Sequence, residues 1–161
     1  MTPMTHATLC YLMRGNPPNE ILLGLKKVGF GAGKYGGFGG KIEAGETVTM
    51  AAVRELQEEA GVQVFEKDLQ PMGLMTFLFP AKPDWSQAVH VFLATKWDGD
   101  PVESMEMIPA WFASDDIPFQ QMWQDVYHWL PRVLAGERIR ALFTFKEDNE
   151  TVDEVEIEPW G

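Results

Sequence analysis

Three glutamates carry the first chemical signal in this chain: Glu55, Glu58 and Glu59, spaced i, i+3 and i+4. On a helix each residue turns by about 100°, so the three carboxylates share an arc of roughly 100°. Ala52, Val53, Leu56 and Ala60 fill the neighbouring arc, which can face a core. Like charges within one turn repel each other and weaken an isolated helix. A hard divalent cation such as Mg²⁺ or Mn²⁺ converts that repulsion into binding, because such ions prefer oxygen ligands. Arg54, at i,i+4 from Glu58, can hold that carboxylate in one orientation. A Glu-rich helix face is more often simply solvated, so the metal reading needs more than three acids.

The surrounding pattern supplies it. Gly40-Lys41-Ile42-Glu43-Ala44-Gly45-Glu46 is followed by seven residues and then by Arg54-Glu55-Leu56-Gln57-Glu58-Glu59-Ala60-Gly61-Val62. In general form this is Gly-x5-Glu-x7-Arg-Glu-apolar-x-Glu-Glu-x-Gly-apolar over residues 40–62. Seven specified residues at typical frequencies of ~5–7% coincide by chance about once in 10⁸ to 10⁹ start positions. Upstream, Gly29 to Gly40 holds seven glycines in twelve positions. From Lys26 to Lys41 there are four lysines (Lys26, Lys27, Lys34, Lys41) and no acid. Glycines let backbone N–H groups come close to phosphate oxygens, and Lys26 and Lys41 can neutralise them. The whole chain carries a net charge of −11. A basic stretch in an acidic body suits a small polyanion, and the overall charge argues against a nucleic-acid polymer.

The elements that must position these groups read as follows. Thr8–Met13 and Ile21–Lys26 are strand-like and are separated by a turn over Gly15–Asn19. The spacing predicts a helix over Thr47–Ala60, with Thr47 as N-cap and Gly61 as its stop. Further strands are expected at Gly73–Phe79, Ala88–Lys96 (then a turn over Asp98–Pro101) and Ile108–Ala113. A second helix is expected from Pro118, on apolar residues from Phe119 to Leu134, with Pro131 kinking or breaking it near its end. Ile139–Phe145 and Val152–Ile157 form a closing hairpin around Glu147–Glu150.

This mix indicates one α/β or α+β domain over residues 1–161, and 45% hydrophobic residues exclude disorder. No run approaches the ~20 apolar residues of a membrane span. Met1 to His6 lacks the features of a secretory signal. Cys10 is the only cysteine, which excludes an internal disulfide and suits a reducing, cytoplasmic compartment. Nothing in the residues specifies an oligomeric state.

The 40–62 pattern resembles the Nudix box at every fixed position. Beyond the box, Lys26–Lys34, Gly37–Lys41, Pro101–Met107, Ile117–Phe119 and Met122-Trp123 are similar to the MutT-related oxidized purine nucleoside triphosphatases, most of all the human type. The resemblance runs from Thr8 to about Phe145. It implies a Nudix α-β-α sandwich around a central mixed sheet, with the box as a loop-helix-loop. It implies Mg²⁺ (or Mn²⁺) held by Glu55, Glu58, Glu59 and the Gly39 carbonyl. Glu106 is implied as a further ligand or water-activating base, and Glu58 or Glu59 shares that role, with Arg54 in support. Substrate-binding residues implied are Thr8, Lys26, Phe30, Gly36, Phe38, Gly39, Gly40, Lys41, Phe77, Phe79, Trp123 and Asp125.

The expected activity is cleavage of a nucleoside triphosphate to monophosphate and pyrophosphate, with 8-oxo-dGTP-like nucleotides as candidate substrates. Alternatives are another diphosphate-linked substrate (ADP-ribose, a nucleotide sugar, a dinucleoside polyphosphate) or a non-catalytic nucleotide-binding Nudix domain. The intact carboxylate set argues against the last. Two positions depart from the human-type pattern: Gly36 stands where an Asn is usual, and Val126 where a second Asp follows Asp125. Both losses remove hydrogen-bonding groups and predict relaxed base selectivity.

Overall fold

A computed structural model describes residues 4–161. Met1 to Pro3, part of the segment read as lacking a secretory signal, lie outside the described residues. Eight strands form one mixed sheet: β1 (Thr5–Arg14), β2 (Glu20–Lys26), β3 (Tyr35–Gly36), β4 (Gln70–Leu78), β5 (Gln87–Ala94), β6 (Met107–Ala113), β7 (Ile139–Phe145) and β8 (Val152–Pro159). The order is β3-β2-β1-β5-β4-β7-β8, with β6 on β2. The β1–β5 and β4–β7 pairs are parallel and the remaining pairs antiparallel.

Both faces of this sheet are covered, which explains why its central strands read as apolar runs rather than alternating ones. On β1, Ala7, Tyr11 and Met13 join one core while Cys10 and Leu12 join the other. The second core packs under α1 (Val48–Ala60) through Ala52, Leu56 and Ala60. The first packs under α2 (Val126–Leu134) through Val126, Trp129, Leu130 and Val133. The result is the expected α-β-α layering.

α1 is bounded as its caps dictate. Thr47 Oγ1 accepts from the Met50 N–H at 3.2 Å, and Gly61, at φ 70°, donates its N–H back to Gln57 O at 3.0 Å. α2 departs from expectation: it starts at Val126 rather than Pro118. Phe119–Gln121 forms a single 3₁₀ turn, and Met122 then runs extended (φ −123°, ψ 170°). Across this break Met122 enters the core and Trp123 faces a cavity. Pro131 does not end α2, which continues to Leu134. The carbonyl left without a donor is that of Tyr127, an exposed residue where water can replace the missing bond.

The strand pairing around β2 opens the site. β6 pairs along the full length of β2 from Glu20 to Lys26. β1 pairs only with Glu20–Leu22, and β3 takes over at Gly24 and Leu25 on that same edge. Past Leu22 the two strands diverge, and the glycine-rich segment fills the gap, bridging β1 at Cys10↔Phe38 and Ala7↔Lys41. β3 lies inside a segment too rich in glycine to read as strand. Among the described residues no helix is long and apolar enough to cross a membrane.

Candidate active site

The divergence of β1 and β2 leaves a cavity of about 760 Å³ between the glycine segment, α1 and the 119–126 turn. One wall is acidic. Glu55, Glu58 and Glu59 project from α1, and Glu106 reaches the same space from just before β6. Glu59 is only 3% exposed, and its Oε1 accepts from the Gly39 N–H at 2.8 Å. Burial pushes its carboxyl up to about 8, against the opposing pull of that N–H and of Lys26. Glu55 is also raised, chiefly by burial, although Arg54 favours its charged form. Glu106 is held below the usual carboxylate range by Lys26, whose Nζ donates to its Oε2 at 3.0 Å.

Arg54 organises the rest of the wall. Its Nε and Nη2 donate to the two oxygens of Glu46 at 2.7 and 2.9 Å, a bidentate pair. Its Nη1 reaches Glu55 at 2.9 Å and Glu58 at 3.3 Å, and Nη2 also donates to the Lys41 carbonyl at 3.1 Å. The Arg54–Glu58 pair anticipated from spacing exists but is the longest of these contacts. The principal anchor is Glu46, a fixed acid of the 40–62 pattern to which the sequence reading gave no role. Arg54 thereby ties the box loop to α1 across the acidic face.

Glycine is required where this loop meets β1 and α1. A Cβ at Gly39 would lie 1.8 Å from Thr8 O, and one at Gly40 would lie 2.5 Å from Glu55 Oε1. The Gly39 carbonyl accepts no backbone hydrogen bond among the described residues.

The opposite wall is aromatic. Phe30 stacks on Trp123 with centroids 5.1 Å apart, and Trp85 meets Phe30 edge-on at 4.9 Å. Phe79 and Phe145 stack behind them at 4.5 Å. Thr8, Phe77, Asp125 and Val126 line the same cavity. Asp125 is buried, which pushes its carboxyl up to about 6, and its Oδ2 accepts from Trp129 Nε1 at 2.8 Å. Trp85 was not anticipated: it sits in a loop between β4 and β5, where no periodicity marks it. Gly36, Gly39, Gly40, Lys26 and Lys41 also line the cavity.

One expected substrate-binding residue is not brought in. Phe38 is fully buried beside Leu22, Leu56 and Met107 in the core under α1. The Cys10↔Phe38 bridge continues the β pleat, so residue 38 turns its side chain to that core. Its contribution is to anchor the loop.

All four acids offer hard oxygen donors, which suits a divalent cation of the Mg²⁺ class. Among the described residues, no three His, Cys, Asp or Glu side chains stand gathered around one point. Each carboxylate is instead turned to a protein cation: Glu55 and Glu58 to Arg54, Glu59 and Glu106 to Lys26. The chemistry of this donor set fits such an ion.

The NUDIX domain family model matches residues 4–133. The chain belongs to the Nudix family. A zebrafish (Danio rerio) protein named oxidized purine nucleoside triphosphate hydrolase is 46% identical over 143 residues, 86% of this chain and 90% of that protein. The mouse (Mus musculus) protein of the same name is 43% identical over 135 residues, 84% of each chain. A MutT protein structure from Bacillus halodurans superposes with TM-score 0.80 over 98% of this chain and 100% of that one, at 21% identity, which speaks to fold alone. This Nudix chain is therefore a hydrolase, and Nudix hydrolases generally need a divalent metal.

Proposed function

We propose that this Nudix hydrolase is a Mg²⁺-dependent pyrophosphohydrolase of purine nucleoside triphosphates, oxidized ones included, releasing a monophosphate and pyrophosphate. The observation that carries the reading is one cavity with two unlike ends. Four carboxylates stand on one wall and stacked aromatics on the other, and Lys26 and Lys41 line the same cavity, Lys26 beside Glu59 and Glu106. A triphosphate and its base need that division. The relatives' names point to the same substrate class.

In this reading Glu55, Glu58, Glu59, Glu106 and the Gly39 carbonyl hold the cation. When bound, it neutralises phosphate oxygens and makes water easier to deprotonate. Lys26, whose Nζ lies beside Glu59 and Glu106, would meet phosphate oxygens next to the carboxylates that hold the ion. Glu58 or Glu59, with Glu106, takes the proton from the attacking water. Arg54 keeps Glu55 and Glu58 oriented from outside the reaction. The base packs against the aromatic wall of Phe30, Phe79, Trp85 and Trp123, where stacking contributes about 1–3 kcal/mol. The buried lone Cys10, its thiol pushed up to about 12 by burial, is in keeping with a reducing cytoplasmic setting.

The test is a turnover panel with Mg²⁺, read by pyrophosphate release and product mass. It includes dGTP, 8-oxo-dGTP and other oxidized purine triphosphates, ADP-ribose, a nucleotide sugar and a dinucleoside polyphosphate. Highest kcat/KM on purine triphosphates is expected. Turnover confined to a diphosphate-linked substrate would overturn the assignment.

A further inference from the structure

Tyr11 is a residue that neither the box nor the aromatic wall accounts for. It lies on β1 facing the α2 core, is 0% exposed, and still contributes to the cavity wall. Its ring meets Trp129 edge-on at 6.1 Å. The glycine segment passes directly over the ring end: a Cβ at Gly37 would fall 2.9 Å from Tyr11 Cζ. The Tyr11 hydroxyl nevertheless has no hydrogen-bond partner. The Gly37 N–H approaches the phenolic oxygen without completing a bond, and a backbone N–H can only donate. The phenolic proton is left without an acceptor.

A buried hydroxyl without a partner is costly, and phenylalanine would fill the same volume without the cost. An unsatisfied O–H is therefore informative where it borders a ligand cavity. Burial and the nearby Asp125 both hold the phenol protonated, so it remains a donor across the neutral range. Beside it the wall is bare, because a Cβ at Gly36 would meet nothing within 4 Å. Asp125, buried at the same end, already accepts from Trp129, while the buried Thr8 hydroxyl on the same strand as Tyr11 is, like that of Tyr11, without a partner.

We propose that the Tyr11 hydroxyl is a specificity-determining donor that hydrogen-bonds an acceptor, a carbonyl oxygen or ring nitrogen, on the purine of the bound nucleotide. The inference rests on the reading of this cavity as a purine triphosphate site. It assigns to β1 part of the polar recognition that the loop lacks at Gly36.

The experiment compares wild type with Tyr11→Phe on 8-oxo-dGTP, dGTP and deoxyribose triphosphate, which has no base, together with the melting temperature of the ligand-free proteins. The variant should lose about tenfold or more in kcat/KM on a purine triphosphate, mostly through KM. It should keep its rate on the base-free substrate and melt no lower than wild type, since an unsatisfied hydroxyl is removed. Equal kcat/KM for wild type and variant on every purine tested would overturn the Tyr11 assignment alone. So would equal losses on base-bearing and base-free substrates, or a lowered melting temperature accompanying a general loss of rate. No wild-type turnover of any nucleoside triphosphate would overturn both the assignment and the reading beneath it.

Discussion

Replacing Glu59 with Gln is expected to lower kcat by at least ~10²-fold while stabilising the ion-free protein at alkaline pH. Gln keeps the size of the side chain and an oxygen that can accept from the Gly39 N–H, but it removes the charge a cation or a proton needs. The stability half follows from burial. Glu59 titrates near 8 in the folded protein against about 4.5 unfolded. A carboxyl raised on folding favours the folded state while protonated. Its contribution is complete below about pH 4.5 and is lost as pH rises towards 8. Melting curves with EDTA should therefore show the variant gaining on wild type between those limits, with little difference at the acid end. Glu58, whose side chain is 58% exposed, should give the same catalytic loss on change to Gln without the stability gain. Near-normal rates in both variants would leave these carboxylates without a catalytic role.

The second large effect concerns base selectivity. Gly36 has ordinary backbone geometry and open space at its Cβ position, so Gly36→Asn should be accommodated without strain. Val126 is different: it is buried in the α2 core as the first residue of that helix. An Asp there gains from the helix N-terminus, by about 0.3–1 kcal/mol, but loses apolar packing and desolvates a charge. The Asn variant is thus the cleaner step, and Val126→Asp is added to it second. Wild type should show a modest preference for 8-oxo-dGTP over dGTP in kcat/KM. The ratio should grow about tenfold or more on adding the Asn, as expected for one good hydrogen-bonding pair. A wild-type preference already above ~10⁴-fold would contradict the account.

The catalytic wall was legible because its information is local. Carboxylate spacing on one helix, a capping Thr47 and a closing Gly61 are set within a few residues, and α1 follows them. The strands facing two cores were legible for the same reason, although β3 was hidden by the flexibility of its glycine neighbours. The aromatic end depends on placements that no local pattern encodes. Which face Phe38 takes is decided by its bridge to Cys10, made by two backbone hydrogen bonds at 2.7 and 2.9 Å. Trp85 reaches the cavity from a single 3₁₀ turn in the β4–β5 connection, and Tyr11 reads as an ordinary core residue of β1 until its hydroxyl is found unpartnered. The start of α2 was misplaced because apolar periodicity continues through a segment that the Met122 backbone breaks.

Chelation tests the central claim most directly, that acids on α1 and Glu106 hydrolyse a nucleoside triphosphate with a bound divalent cation. Pyrophosphate release from 8-oxo-dGTP is followed with Mg²⁺ present, after excess EDTA, and after Mg²⁺ is restored. Turnover should fall to background with the chelator and return with the ion, while the Glu59→Gln variant stays slow throughout. Turnover that continues unchanged in EDTA would contradict it.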